Sequence, residues 1–263
     1  MSKNENEWRL LPLEIRNGYW NMALDEAILE AAIKREVPNT LRFFKWNPST
    51  VSIGRNQSLS NEVNVKFAKE KGFNIVRRIT GGGSVFHDYT REITYSIVCP
   101  TRFLEKFNAK KVIEQFEKIE LGIILALTYY GLKPEPGVIH CPAIFLDGKK
   151  FSGNAQVRKK GYVLQHGTIL LEIDPELMYS VLKAPYNVSK SKMVQSVYAK
   201  CIGIKDKLEF YEENDFLSSL KAGFESNLEI KLKAGAFTEN ELKLAENLVL
   251  NRYSNKNWLE KYE

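Results

Sequence analysis

Hydrophobic residues recur along most of the chain with one of two spacings, which are typical of strands and of helices. A period of two, enriched in β-branched and aromatic residues, predicts strands over residues 8–15, 40–46, 50–54, 74–79, 92–98 and 162–172. A helical period predicts helices over residues 19–36, 63–71 and 109–130, the last ending at Gly131 in the position of a C-terminal cap. Residues 143–146 and 150–156 flank Asp147-Gly148 and predict a hairpin. Beyond Asp174 the pattern is mostly helical, and residues 238–241 form a capping box.

The order of these elements indicates the fold class. Strands and helices occur without a regular β-α-β alternation, which predicts an α+β fold with a mainly antiparallel or mixed sheet. Residues 92–98 alternate well and are expected to present two different faces. Three glycines at 81–83 precede the strand-like residues 84–86 and not a helix, which excludes the dinucleotide-binding fingerprint. No repeat or linker divides the sequence.

Composition narrows the class of function. The 263 residues, 44% hydrophobic and 27% charged, are enough for one large domain with a full core. The net charge is +6, but acids interleave with the basic residues, so no nucleic-acid partner is expected; an acidic protein or a phosphorylated ligand accounts for the charge equally well. The longest apolar run, 121–130, is too short to span a membrane, so we expect a cytoplasmic protein without a membrane partner.

The cysteine pattern argues against two kinds of site. Cys99, Cys141 and Cys201 are widely separated, and no CxxC pair occurs. A disulfide framework and a zinc site are therefore not expected, and no metal ligand is assigned. An important cysteine in this chain would act alone.

Residues 77–88, RRITGGGSVFHD, are the most informative segment. Glycine removes the Cβ that would hold a ligand away, so the N–H groups of Gly81, Gly82 and Gly83 can approach a carboxylate or phosphate. Arg77 and Arg78 supply positive charge and, in a strand, point to opposite faces. We expect Arg78 to face the ligand and Arg77 to face solvent or a structural carboxylate. A glycine-rich hairpin turn is the other interpretation of the segment.

Several motifs together resemble the catalytic domain of lipoate-protein ligases and the related octanoyltransferases. They are NMALDE (21–26), WNP (46–48) with VSIGRNQ (51–57), RRITGGGSVFHD, DGKKFSGNAQ (147–156) and QHGT (165–168), and the similarity runs from about Trp8 to Trp258. The resemblance implies the biotin/lipoate-ligase fold, a twisted mixed sheet with packed helices. We expect residues 8–263 to form a single catalytic domain, with no C-terminal accessory domain.

The resemblance also implies an activity. Ligases of this family use ATP and Mg²⁺ to convert lipoic acid to lipoyl-AMP, and then acylate a lysine of a lipoyl-domain protein such as the glycine cleavage H protein or a 2-oxoacid dehydrogenase E2. Lys150 corresponds to the catalytic lysine. The residues implied to bind lipoate or another acyl chain are Trp46, Arg78, Gly81, Gly82, Gly83, His87, Lys150, Gly153 and His166. Those implied for ATP are Arg78, Gly83, Ser84, Val85, Phe86 and Lys150.

Most of these residues also have a purely structural interpretation. Lys150 could close the Asp147-Gly148 hairpin as an exposed charge, although its FSGNAQ context favours the site. His87 is as well suited to tying down the loop as to contacting a ligand, and His166 is expected to order the pocket. Trp46 can cover the acyl chain or belong to the core.

One departure leaves the chemistry open. Where ligases of this family commonly carry Asn-Asp before the hairpin, this chain has Pro142-Ala143, preceded by Cys141. The related transferases place a nucleophilic cysteine upstream of the lysine, so the alternative is octanoyl or lipoyl transfer through a Cys141 thioester without ATP. A non-catalytic lipoyl-domain binder is a third possibility. The sequence does not separate lipoate from octanoate, and a ligase of this length is expected to need a separate small accessory subunit.

Overall fold

The computed structural model describes residues 7–137 and 142–263. The strands are Trp8–Arg16 (β1), Asn39–Trp46 (β2), Thr50–Ile53 (β3), Asn74–Arg77 (β4), Val85–His87 (β5), Glu92–Pro100 (β6), Pro134–Pro136 (β7), Ala143–Leu146 (β8), Lys149–Lys159 (β9), Tyr162–Leu170 (β10) and Leu232–Ala234 (β11). The helices are Gly18–Ile33 (α1), Leu59–Glu62 (α2), Val65–Glu70 (α3), Thr101–Glu105 (α4), Val112–Tyr129 (α5), Pro175–Val181 (α6), Lys190–Lys200 (α7), Glu213–Leu228 (α8), Glu239–Leu248 (α9) and Lys256–Leu259 (α10). A 3₁₀ turn at Ile204–Lys207 and a π-helical turn at Val249–Tyr253 complete these elements.

The strands of the described residues form two mixed sheets. The large sheet has the order β11-β1-β2-β6-β10-β9-β8-β7, parallel in its first three strands and antiparallel beyond them. The small sheet has the order β4-β3-β5. Helices α5 and α8 cover one face of the large sheet, and α1 with α9 lies on the other. The α+β class predicted from the sequence is confirmed.

The helices on both faces explain why a strand of alternating residues is buried. Strand β6 is buried along its whole length, and its residues alternate as expected, with Ile93, Tyr95 and Ile97 in the main core and Ser96 bonded to Asp25 of α1 on the opposite face. Because α5 and α8 lie on one side and α1 on the other, neither face of this central strand meets water. The apolar alternation in this strand therefore does not mark a solvated face.

The structure differs from the sequence prediction in the helix expected over 63–71. The structure divides this segment into α2 and α3, because Val63 is extended and pairs with Leu182. Asn64 then caps α3, accepting a hydrogen bond from the Phe67 N–H at 3.3 Å. With the chain divided at Val63, α2 and α3 pack beside α6, against the small sheet.

Candidate active site

A cavity of about 310 Å³ is lined by residues of both sheets. Strands β9 and β10 of the large sheet, β3 and β5 of the small sheet, and the glycine loop between β4 and β5 form most of the wall. The lining residues that the sequence predicts for the site are Trp46, Arg78, Gly82, Gly83, Ser84, Val85, Phe86, His87, Lys150, Gly153 and His166. Gly81 is the predicted residue in the described chain that does not line this cavity.

Arg78 holds the glycine loop in place. Its Nε donates to Thr80 Oγ1 at 3.1 Å, Nη1 donates to the carbonyl and hydroxyl of Ser52, and Nη2 donates to the carbonyls of Gly81 and Gly83, both at 2.7 Å. These bonds use every N–H of the guanidinium. Burial lowers the pKa of Arg78 to about 10, so the group stays protonated at neutral pH. Arg78 therefore contributes positive charge to the cavity while its donors organise the loop.

Close backbone packing fixes the same loop from beneath. A Cβ at Gly54 would lie 2.0 Å from the carbonyl oxygen of Gly82, so residue 54 must be a glycine for the loop to take this position. Gly82 itself has a φ of +94°, which disfavours any other residue. The IGRNQ motif therefore supports the GGG motif directly.

Arg77 occupies a different position from the one predicted for it. The alternation of strand residues led us to expect it in solvent or against a carboxylate. It is fully buried, and its guanidinium donates to backbone carbonyls of Gly54, Arg55, Gln57, Trp258 and Leu259. The C-terminal segment covers the outer face of β4, so this arginine joins that segment to the loop after β3.

His166 orders the pocket through a buried chain of hydrogen bonds. Its Nδ1 lies 2.9 Å from Asp25 Oδ2, and its Nε2 lies 2.8 Å from Thr80 Oγ1. Asp25 Oδ1 also accepts from Arg42 Nη1 at 3.0 Å and from the Ser96 hydroxyl at 2.8 Å. Burial lowers the pKa of His166, which favours a neutral ring with its proton on Nδ1 and Thr80 donating to Nε2.

Trp46 and His87 both line the cavity and stack on each other, with ring centroids 4.0 Å apart. The Trp46 Nε1 donates to Thr94 Oγ1 at 2.7 Å, and His87 bridges Glu92 Oε1 at 2.7 Å to the Ser52 hydroxyl at 2.8 Å. Trp46 is 1% exposed and belongs to a hydrophobic core cluster, and it also lines the cavity. Both residues therefore have structural partners and also line the cavity.

Lys150 lies on β9 and lines the cavity. A Cβ at Gly153 would lie 3.0 Å from the Lys150 Nζ, so the ammonium occupies the space above that glycine. The neighbouring Lys149 behaves differently, because its Nζ donates to the Tyr198 carbonyl at 3.0 Å outside this cavity. The absence of a side chain at Gly153 therefore leaves space for the Lys150 ammonium at the cavity, while Lys149 lies outside it.

The charged side chains in the described cavity lining are all positive. Its described lining contains Arg78 and Lys150 and no Asp or Glu. Carboxylate oxygens are the ligands by which proteins usually hold Mg²⁺ beside a nucleotide, so the described lining does not fit that ion. Nor do the described residues contain a group of three or more His, Cys, Asp or Glu placed to hold a metal. The site suits a ligand with an apolar chain and a polar or anionic end.

Two cysteines bear on the chemistry. Cys141 lies outside the described residues, but the carbonyl of the next residue, Pro142, accepts from the backbone N–H of Asn154 at 3.3 Å, and Asn154 lines the cavity. Cys201, at the end of α7, lines the cavity. Its backbone pairs with that of Lys150 in an isolated parallel β-bridge. Burial raises the pKa of Cys201, and Lys150 opposes that effect.

Several lining residues were not predicted from the sequence. Asn154 lies within the FSGNAQ motif but was not singled out, and Ser52 lies within VSIGRNQ. Met178 and Leu182 come from α6 and its C-terminal end, and Cys201 from the end of α7. No local sequence pattern marks Met178, Leu182 or Cys201 as site residues, because they lie in segments far from the motifs and reach the cavity only through folding.

Comparison with known proteins agrees with this geometry. Residues 17–225 match the model of the lipoyl protein ligase A/B catalytic domain. The chain belongs to that family. The similarity to lipoate-protein ligases and octanoyltransferases predicted from the motifs is therefore confirmed.

Curated members of the lipoyl protein ligase A/B family are similar over nearly the whole chain. The octanoyltransferase LipM of Brevibacillus brevis is 34% identical over 96% of this chain and 98% of its own length. The octanoyltransferase LipM of Symbiobacterium thermophilum is also 34% identical, over 97% of this chain and 98% of its own length.

Solved structures of the family share the fold. A bi-partite lipoate protein ligase from Thermoplasma acidophilum, studied with its E2 lipoyl domain, has a TM-score of 0.84 and 28% identity, covering 98% of this chain and 97% of its own. A lipoate-protein ligase A bound with ATP has a TM-score of 0.83 and 27% identity, covering 98% of this chain. The chain is therefore an enzyme of the lipoate ligase and octanoyltransferase family.

Proposed function

We propose that this protein is an octanoyltransferase, which moves an octanoyl group from a thioester donor to a lysine of a lipoyl-domain protein without ATP. The observation that carries the proposal is the 34% identity to octanoyltransferases over nearly the full length of both chains. This reverses the order expected from the motifs, which placed the ATP-dependent ligase first. The described cavity lining, which contains Arg78 and Lys150 and no carboxylate, supports the same choice.

Cys141 is the proposed nucleophile. It directly precedes Pro142-Ala143, the pair that replaces the Asn-Asp of ligases, and the Pro142 carbonyl accepts a hydrogen bond from the backbone N–H of the cavity residue Asn154. Cys201 is the other cysteine to test, since it lines the cavity. Burial raises the pKa of the Cys201 thiol, which reduces the thiolate available for attack. We therefore assign the thioester to Cys141 and the stabilisation of charge on the acyl carbonyl to Lys150.

The proposal also includes the acceptor protein, the location of the enzyme and its domain organisation. The acceptor is a lipoyl-domain protein, of the H-protein or E2 type, and the enzyme works in the cytoplasm as one catalytic domain over residues 8–263. No helix in the described ranges 7–137 and 142–263 is long and apolar enough to cross a membrane.

ATP-dependent ligation of lipoate remains the second candidate. It is favoured by the solved relatives, of which one was determined with ATP and another as a bi-partite ligase. In that reading Arg78, Lys150 and the backbone at residues 83–86 would hold lipoyl-AMP, and a small accessory subunit would complete the adenylation. No step of the proposed transfer passes through a nucleotide or a metal.

The test is a transfer assay with a purified lipoyl-domain acceptor, followed by intact mass. Octanoyl-loaded carrier protein should acylate the acceptor equally well with and without Mg-ATP. The Cys141→Ala variant should lose this transfer, whereas Cys201→Ala should keep it. Acylation from free lipoate that requires ATP and survives Cys141→Ala would establish the ligase instead.

A further inference from the structure

The positive charge of this protein is concentrated in one segment. Residues 183–207 contain six lysines and one acid, Asp206, and therefore carry +5 of the net charge of +6. The rest of the chain carries only +1, because acids and bases interleave along most of it. The acidic protein or phosphorylated ligand that the total charge suggests would therefore be attracted to this segment.

The lysine-rich segment borders the candidate active site. Leu182, which directly precedes it, and Cys201, which lies within it, both line the cavity. Cys201 also lines a second, polar pocket together with Lys149 and Tyr198. Tyr198 is 47% exposed, so this pocket reaches the protein surface. The segment thus extends from the wall of the cavity to solvent.

Half of the lysines in the segment lack a carboxylate partner among the described residues. Three of the six form ion pairs with acids outside the segment. In the described chain no carboxylate oxygen lies within 4.0 Å of the ammonium groups of the other three, Lys183, Lys192 and Lys200, which are all exposed. Lys149 is partly exposed and donates only to the Tyr198 carbonyl. We call these four residues the lysine surface: Lys149, Lys183, Lys192 and Lys200.

The lysine surface is close to the acyl site but too wide for a small anion. Burial raises the pKa of Cys201, and the ammonium groups of Lys150, Lys200 and Lys149 oppose this effect, so all three lie near that thiol. Lys192 precedes Lys200 on α7 by eight residues, which is about 12 Å along the helix axis. A single phosphate cannot contact both lysines, whereas a protein surface with several carboxylates can.

We propose that the lysine surface docks the carrier protein that delivers the octanoyl group, through an acidic face of that carrier. The proposal rests on the proposed octanoyl transfer and adds how its donor is recognised. The donor must place its acyl chain inside the cavity, so its protein part has to stop at the border of the cavity, where the lysine surface lies. Complementary charge speeds this encounter and fixes its orientation. Tyr186, in the same segment and 94% exposed, supplies an aromatic side chain of the kind that is enriched in protein interfaces.

The double variant Lys192→Glu, Lys200→Glu tests the docking step by itself. With octanoyl-loaded carrier protein and no acceptor, the Cys141 thiolate takes the octanoyl group and the donor thiol leaves, so rapid quench and intact mass give the rate of acyl-enzyme formation. The second-order rate constant should fall about tenfold or more at low salt, and added salt should slow the wild type much more than the variant. Octanoyl-N-acetylcysteamine, a thioester without a protein part, should acylate both proteins at the same rate.

A second double variant, Lys231→Glu, Lys233→Glu, is the matched control. It makes the same change of charge on two exposed residues at the β11 edge of the large sheet, five strands away from β9. Because these lysines lie far from the cavity, the control should keep the wild-type rate with both donors.

Each contrary result has its own meaning. An unchanged rate with the carrier protein in Lys192→Glu, Lys200→Glu would overturn the docking proposal, as would an equal fall with both donors, which would show damage to the cavity. An equal fall in the control would reduce the effect to net charge and overturn the proposal as well. Normal acyl-enzyme formation followed by slow transfer to the lipoyl domain would assign the surface to the acceptor instead. A wild-type protein that forms no acyl-enzyme from either donor would refute the proposed function itself.

Discussion

Replacing Glu120 by glutamine should remove a large pH dependence of stability. Glu120 lies on α5, is 3% exposed, and accepts a hydrogen bond from Asn154 Nδ2 at 2.8 Å. Burial raises the pKa of its carboxyl from 4.5 to about 7, with a further increase from Glu117 and opposing effects of Asn154 and Lys150. The folded protein therefore binds this proton more tightly than the unfolded chain does.

The sign and the size follow from that difference. The contribution of Glu120 is most favourable below pH 4.5, is lost as the pH rises towards about 7, and is constant above it. Each tenfold difference in proton affinity is worth about 1.4 kcal/mol, so the total loss is about 3 kcal/mol. Glutamine keeps the shape and an oxygen that can accept from Asn154, but it does not ionise. Relative to wild type, Glu120→Gln should therefore gain about 3 kcal/mol between pH 4.5 and 8.

Urea unfolding of both proteins, repeated at half-unit steps across that pH range, measures this gain. Glu117→Gln is the control, because Glu117 lies on the exposed side of the same helix and should show only a small change. A wild-type minus variant difference that stays flat with pH, or that slopes the other way, would refute the reasoning. The same result would show that the carboxyl behind Asn154 is not desolvated.

Two further substitutions test the scaffold of the cavity. Asp25→Ala leaves the buried charge of Arg42 without its carboxylate, and the free energy of unfolding measured in urea should fall by about 3 to 5 kcal/mol. Gly54→Ala would force the Gly82 carbonyl away, costing about 1 to 3 kcal/mol of stability and most of the transfer activity. Gly81→Ala, where a Cβ meets nothing within 4 Å, should cost less than about 0.5 kcal/mol; equal losses from both glycines in thermal denaturation would contradict the packing argument.

The motifs were enough to predict the fold class, and the residues singled out from them include eleven of the 23 that line the cavity. Their joint order identified the family, and the hairpin at Asp147-Gly148 placed Lys150 on the strand that reaches the site. Period-two patterns located the strands, since each must bury one face or both. The catalytic and binding roles of these residues remain predictions until they are tested by mutation.

What the sequence did not predict depends on contacts between distant segments. Arg77 is buried because the C-terminal residues Trp258 and Leu259 fold over β4, which no local pattern indicates. Cys201 reaches the cavity at the end of α7, and a lone cysteine carries no signal of that position.

The most direct measurement of the central claim is the trapping of an acyl-enzyme. The protein is mixed with octanoyl-loaded carrier protein in the absence of ATP and acceptor, quenched in acid, and digested for peptide mass mapping. The account predicts one octanoyl group on the peptide that contains Cys141, labile to hydroxylamine and transferred to a lipoyl domain added before the quench. An enzyme that gains no octanoyl group without ATP, or that carries it on a residue other than Cys141, would contradict the account.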